Sequence, residues 1–195
     1  MGSVRFPGIT RRFAASLLVL VFAACAAPLP THDADKIDRV LALIQQRLGY
    51  MDDVARNKWN SGAPIEDLPR EREIIESLGR QAPEYGLDPV FARDFFRSQI
   101  EASKIIQRTR FAEWRVQNQP PFTIVPDLRD TIRPALDALT PELMKSLAAA
   151  MPVLRHADAA ALIPARADKL IVVGDSDRAA RDEAIAPLIR EGSGR

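Results

Sequence analysis

The stretch Ile37–Trp59, IDRVLALIQQRLGYMDDVARNKW, decides the fold. Ile37, Val40, Leu41, Ile44, Leu48, Met51 and Val54 recur at three- and four-residue intervals, the period of one buried helix face. The pattern predicts a helix from about Ala34 to Asn60 that stops at Ser61-Gly62, with Pro64 behind. Arg47 lies on the apolar stripe, and Lys58 follows eleven residues later. At about 100° per residue the two point within about 20° of each other, roughly 16 Å apart along the axis. Cations on a face that packs inward carry a desolvation cost unless an anion meets them. For any one of them the ordinary outcome is a protein carboxylate, or a side chain that snorkels to water. A binding site needs support from the rest of the chain.

Working outward, the 195 residues suit one domain plus a leader, and a hydrophobic fraction of 47% is ample for a core. The 15 prolines and nine glycines fall mostly between periodic segments and read as helix punctuation. β-Branched alternation is nearly absent before Leu170–Val173, so the class is all-α. A single-domain bundle of about five to six helices is expected over residues 34–195.

A second helix is predicted from near Asp67, with Pro69 in its first turn; it carries Arg70, Glu71, Ile74, Ile75 and Leu78 and ends before Gly79. Pro83–Leu87 reads as a linker. Asp88-Pro89 is a cap followed by a first-turn proline, and it opens a third helix to about Gln117. The stripe of that helix includes Ala92, Phe96, Gln99, Ser103, Ile106, Gln107, Arg110 and Trp114. Ser103 and Gln107 share a face and need partners once buried; hydrogen bonds to a neighbouring helix are the plain expectation. Gln119-Pro120-Pro121 breaks the chain. A fourth helix begins near Asp127 and carries Arg133, Leu136, Leu139, Leu143 and Leu147 on one side. Thr140-Pro141-Glu142 either restarts or kinks it. After Pro152 the pattern weakens, until Arg178–Glu191 reads as a short terminal helix.

The N-terminus has the form of an export signal. Arg5, Arg11 and Arg12 precede the apolar run Phe13–Phe22, which is too short for a permanent bilayer span. Residues 1–26 are therefore expected to be a signal peptide cut near 24–27, leaving a periplasmic or secreted protein. Two routes fit. Phe22-Ala23-Ala24-Cys25 resembles a lipoprotein box, which would make Cys25 a lipidated membrane anchor; Ala24-Cys25-Ala26 fits an ordinary A-x-A cut. Cys25 is the only cysteine, so the mature domain has no internal disulfide and must rely on packing. Losing residues 1–24 removes three Arg and no acid, which takes the net charge from 27 − 26 = +1 to 24 − 26 = −2. A nucleic-acid partner is not indicated.

His32 and His156 are the only histidines, so a His-based metal site is not expected, and the Gly-rich phosphate loops are missing. Val173-Gly174-Asp175-Ser176 has the look of a Gly-Asp-Ser hydrolase block. It stands near the wrong terminus with no following His, and reads as a turn or helix cap.

What remains is an ordered set of polar positions. The text Gln46-Arg47-Leu48, Asn57-Lys58-Trp59, Pro64-Ile65-Glu66-Asp67-Leu68-Pro69-Arg70-Glu71, Gln99-Ile100-Glu101-Ala102-Ser103-Lys104 through Gln107, and Arg133 resembles the exported branch of the all-helical (type II) chorismate mutases. The likeness covers roughly Ile37 to Leu147. Any one motif is weak, and the ordered set is specific.

The resemblance implies an isomerase that converts chorismate to prephenate by a pericyclic rearrangement, without cofactor, metal or covalent intermediate. It implies that Arg47, Arg70 and Arg133 clamp two substrate carboxylates, for which guanidinium forks are suited. Lys58 and Gln107 would donate to the ether oxygen, Glu71 would accept from the ring hydroxyl with help from the backbone at Asp67, and Ser103 would line the pocket. It also implies a homodimer with a complete site in each subunit. Some exported members carry two cysteines in the C-terminal half, which this chain lacks. A reading of another class is an exported, non-catalytic helical bundle that binds dicarboxylates or serves as an envelope interaction module. Lys58 with Gln107 separates the two, since clamping carboxylates does not require donors on an ether oxygen.

Overall fold

In the computed structural model, the described residues are Gly2, 31–156 and 158–194. The expected signal peptide apart from Gly2, with Cys25, lies outside them. The elements are α1 (Thr31–Gly49), α2 (Met51–Ser61), α3 (Leu68–Gln81), a 3₁₀ turn (Ala82–Tyr85), α4 (Pro89–Val116), a π-type turn (Leu128–Ile132), α5 (Arg133–Leu154), α6 (Ala159–Leu170), a second 3₁₀ turn (Asp175–Asp177) and α7 (Arg178–Gly192). No strand occurs among the described residues. The protein is all-α.

The single helix expected over 34–60 is two, because the ladder breaks at Tyr50. There the Tyr50 N–H reaches only to Arg47 O at 3.3 Å. Gly49, a weak helix former, sits at the break. Tyr50 keeps right-handed helical angles (φ −80°, ψ −11°), and its carbonyl accepts the Val54 N–H at 3.0 Å in the first turn of α2. Counting the pair as one gives six helices. Gly62 ends α2 in the left-handed conformation (φ 66°), its N–H bonding back to Lys58 O and Trp59 O, a geometry that suits glycine.

The aspartate caps stand where the sequence places them. Asp88 Oδ1 accepts from the Val90 and Phe91 N–H groups at 2.8 and 2.9 Å. Asp67 Oδ1 accepts from Arg70 N–H, and Asp127 Oδ1 from Arg129 and Asp130 N–H. Each satisfies donors that a helix start leaves open.

Four prolines that read as punctuation instead lie inside helices: Pro141 and Pro152 in α5, Pro164 in α6 and Pro187 in α7. Each forfeits one backbone bond, and the helix continues on buried neighbours such as Leu143 and Met144, Met151 and Val153, Ile163, and Leu188. Gly79 is likewise no stop. A Cβ there would lie 2.5 Å from the Arg93 guanidinium and 2.7 Å from its Cγ, so the glycine serves close packing of α3 on α4.

The core runs through all seven helices. α1 packs on α5 and α6, α4 on α3 and α7, and α6 on α7. Phe95, Phe96, Ile37, Leu41, Ile44, Leu143 and Leu147 are fully buried at the centre. The C-terminal part is therefore integral to the domain. Gln99 Nε2 on α4 donates to Ala184 O on α7 at 2.8 Å. The Gly-Asp-Ser stretch forms the 3₁₀ turn before α7, consistent with a turn.

Candidate active site

α3 and α5 stand apart across the face of α4, and the gap is a cavity of about 900 Å³. α1 and α2 bring Arg47 and Lys58 to its wall, the α3 N-terminus brings Asp67, Arg70 and Glu71, α4 brings Ser103 and Gln107, and α5 brings Arg133. All eight residues singled out from sequence thus meet in one cavity, although they span 87 positions (47 to 133) of the chain. The rest of the wall is largely apolar, including Met51, Val54, Ile74, Leu78, Phe96 and Met144. The break at Tyr50 does not separate Arg47 from Lys58.

The cations are poorly matched by protein carboxylates. Arg47 Nε is buried with no hydrogen-bond partner among the described residues. Burial pushes its guanidinium down to about 10, and the charge of Asp137 opposes this only in part. Burial likewise lowers the Lys58 ammonium, with Asp67, Glu71 and Glu66 pulling the other way and Arg133 adding to the depression. Lys58 Nζ donates to Ile65 O at 2.7 Å, which holds the loop 62–67 over the cavity. Among the described residues, neither Arg70, which is exposed, nor half-buried Arg133 closes an ion pair with a carboxylate. At Arg47 neither ordinary outcome is met: its Nε is cut off from water and, among the described residues, no partner meets it.

The polar pair on α4 turns back on its own helix rather than to a neighbour. Ser103 Oγ donates to Gln99 O at 2.7 Å, and Gln107 Nε2 donates to Ser103 O at 3.1 Å. The cross-helix bond belongs to Gln99. Gln107 Oε1 is buried without a partner among the described residues, and its amide has a second N–H beyond the one given to Ser103.

Glu71 is held from two sides. Its Oε1 accepts from Asp67 N–H at 3.0 Å, a reciprocal cap at the start of α3, and its Oε2 accepts from Lys104 Nζ at 3.0 Å. Lys104 also meets Glu101 at 2.8 Å. Burial lowers the Lys104 ammonium, but its bonds to Glu101 and Glu71 outweigh burial and leave it raised. Arg108 joins Glu101 at 2.9 Å to Glu66 at 2.7 Å. Lys104 and Asp137 line the cavity and carry no role in the sequence reading. The signal for Asp137 is its place one turn after Arg133; Lys104 and Glu101, three apart on α4, look like a surface pair.

Chemically, the cavity presents Arg47, Lys58, Arg70 and Arg133, the buried polar groups Ser103 and Gln107, and the Glu71 carboxylate fixed by Lys104, with Asp67 and Asp137 also in a largely apolar wall. It is suited to a small, doubly anionic, partly apolar ligand with a hydroxyl group. Fold and cavity together define an all-helical protein with a polar pocket walled by α1–α5.

The sequence model of type II chorismate mutases matches residues 32–108, a span that holds seven of the eight residues and stops short of Arg133. The secreted chorismate mutase of Mycolicibacterium smegmatis is 32% identical over 141 residues, 72% of this chain and 77% of that one. The secreted chorismate mutase of Mycobacterium tuberculosis is 29% identical over 139 residues, 69% of each chain. Crystal structures of chorismate mutases from Burkholderia thailandensis and Burkholderia phymatum match with TM-scores of 0.73 and 0.71. They are 33% and 32% identical, over 78% and 80% of this chain and 98% and 97% of theirs. The chain belongs to the type II chorismate mutase family, a family of isomerases.

Proposed function

We propose that the protein converts chorismate to prephenate in the cavity between α3 and α5, with every step carried by its own side chains. The observation that carries this is the convergence of Arg47, Lys58, Arg70 and Arg133 on one cavity without carboxylate partners of their own. A dicarboxylate supplies the missing charge. Arg47, Arg70 and Arg133 bind its two carboxylates and hold the enolpyruvyl arm folded over the ring, where the reacting carbons are near contact. The C–O bond of the ether breaks as the new C–C bond forms, and no proton is transferred. Negative charge grows on the ether oxygen, where Lys58 Nζ and the second N–H of Gln107 donate. Fixed donors aimed at developing charge are worth about 2.7–4 kcal/mol each. Lys58 already points into the cavity and exchanges its bond to Ile65 O for the substrate. Glu71 accepts from the ring hydroxyl, and Ser103 shapes the pocket beside Gln107.

The same reading extends to the setting. The M. smegmatis and M. tuberculosis relatives are named secreted, and together with the leader of residues 1–26 they support export of this chain, with Cys25 as a lipid anchor if the lipoprotein route is taken. A homodimer with one complete site per subunit fits a cavity whose walls come from a single chain.

The test is direct. Purified mature protein is mixed with chorismate, and loss of the substrate absorbance is followed with and without a chelator. Turnover unaffected by the chelator is expected. Tight binding of chorismate without turnover would leave a dicarboxylate-binding protein and overturn the reading.

A further inference from the structure

We propose that Lys104 is a positioning residue of this site: by tethering Glu71 to α4, it keeps that carboxylate from neutralising the cations that must receive the substrate. The inference rests on the chorismate reading above.

A cavity wall that sets Arg47, Lys58, Arg70 and Arg133 beside the flexible side chain of Glu71 tends to neutralise itself. Glu71 follows Arg70 in sequence, and it is close enough to Lys58 for its charge to act on that ammonium. A glutamate has three side-chain torsions, and attraction between opposite charges is strong where water is partly excluded. Left free, Glu71 would close on Lys58 or Arg70 and occupy the place of a substrate carboxylate.

Two restraints prevent this. The Asp67 N–H holds Oε1 at 3.0 Å, and Lys104 Nζ holds Oε2 at 3.0 Å. Lys104 is itself well fixed, being only 9% exposed and bound at 2.8 Å to Glu101. Arg108 braces Glu101 and carries the network on to Glu66. Glu66 follows Ile65, whose carbonyl takes Lys58. The contacts thus run from Glu71 through α4 to the loop over the cavity. Each carboxylate oxygen keeps a second lone pair, so the tethered Glu71 still accepts from a ligand hydroxyl. Lys104 acts on the substrate only through Glu71.

A purely structural lysine and a positioning lysine differ in a double-mutant cycle. The kinetic constants kcat and KM are measured for wild type, Lys104→Met, Glu71→Gln and the double variant, each checked for its melting temperature. Lys104→Met is expected to raise KM by about tenfold, with a smaller loss in kcat, because competition for the clamps weakens ground-state and transition-state binding alike. With Glu71→Gln in place the carboxylate that Lys104 tethers is gone, so adding Lys104→Met changes kcat/KM by less than about twofold. Losses that multiply would overturn the inference, as would a Lys104→Met variant that melts lower with unchanged constants. If Lys104→Met does not fold, Lys104→Gln enters the same cycle and is judged the same way. Wild-type protein that leaves chorismate untouched is a separate outcome: it removes the substrate assignment, and the inference falls with it.

Discussion

Arg47 and Arg110 are both drawn into the bundle, and they are treated in opposite ways. Arg110 on α4 meets Asp52 of α2 through Nε at 2.7 Å, Asp177 before α7 through Nη2 at 2.5 Å, and Glu113 at 3.6 Å. Asp177 is only 3% exposed, so this is a saturated, half-buried network that pins the C-terminal part to the helices of the site. Burial lowers the Arg110 guanidinium, but its carboxylates outweigh burial and raise it. Among the described residues Arg47 has only the charge of Asp137 to offset burial, and burial wins. A basic residue on a core-facing stripe therefore says little about function. What distinguishes the site is the absence of an acid to meet it, which leaves that part to a ligand.

The widest split between the two comes from alanine. Arg47→Ala is expected to lower kcat/KM by about 10²-fold or more with no loss of stability, because it deletes an uncompensated cation. Arg110→Ala strands Asp177, and breaking a buried pair costs about 3–5 kcal/mol. At about 2–4 °C per kcal/mol for a domain of this size, its melting temperature should fall on the order of 10 °C while turnover per folded molecule persists. Thermal melts and initial rates on both variants check this. Arg47→Ala protein that melts far lower with normal turnover would make Arg47 a second Arg110.

A smaller effect sharpens the role of neutral donors beside those cations. Wild-type turnover should vary little between about pH 5 and 8, since an amide donates at any ordinary pH. Gln107→Glu should be poor near neutrality and recover as the solution is made acidic, when the carboxyl can donate. Gln107→Ala should stay poor throughout, down by about 10²-fold. A pH–rate profile of the three proteins decides it; a Glu variant as active as wild type at pH 8 would take Gln107 out of the mechanism.

The subtlest effect is on stability at alkaline pH. The folded value for Arg47 lies below its unfolded one, so the charged side chain weighs against folding. That burden is fully present below pH about 10 and fades as pH rises beyond it. Arg47→Ala should therefore have the higher urea midpoint at neutral pH, and its lead over wild type should narrow at the alkaline end. A gap that widens with pH would mean Arg47 is stabilised by its surroundings after all.

Much of this was legible before any coordinates. The buried stripe from Ile37 to Val54 and the helix starts near Asp67, Asp88 and Asp127 are local signals and stand, although the stripe is carried by two helices with a break at Tyr50. The eight cavity residues came from an ordered motif set, which encodes a three-dimensional meeting indirectly. The misses share a cause. α6 buries Ala159, Ile163 and Ala167, a stripe of mostly small residues with a proline inside, so its amphipathic contrast is faint. Gly79 looked like a stop because its reason, Arg93, lies on another helix. Lys104 was overlooked because its deciding partner, Glu71, is 33 residues away; spacing along one helix shows only Glu101.

The connector from Gln119 to Pro126 shows how such an assembly can tolerate change. Asn60 gives Phe122 both of its backbone hydrogen bonds, at 2.8 Å each way. Asn57 donates to Pro126 O, and Trp59 Nε1 to Gln119 O. Apart from Arg56, which lies over the Phe122 ring, α2 thus grips this segment by its peptide groups, while the Ile124 side chain is 86% exposed. Peptide groups are common to every residue type but have a fixed count per residue. The identities of Thr123 and Ile124 are therefore nearly free, whereas the number of residues between Asn60's grip and the Asp127 cap is not. One residue inserted there would shift the start of α5, and with it Arg133, relative to Lys58. Drift in this segment should be written in substitutions and not in length.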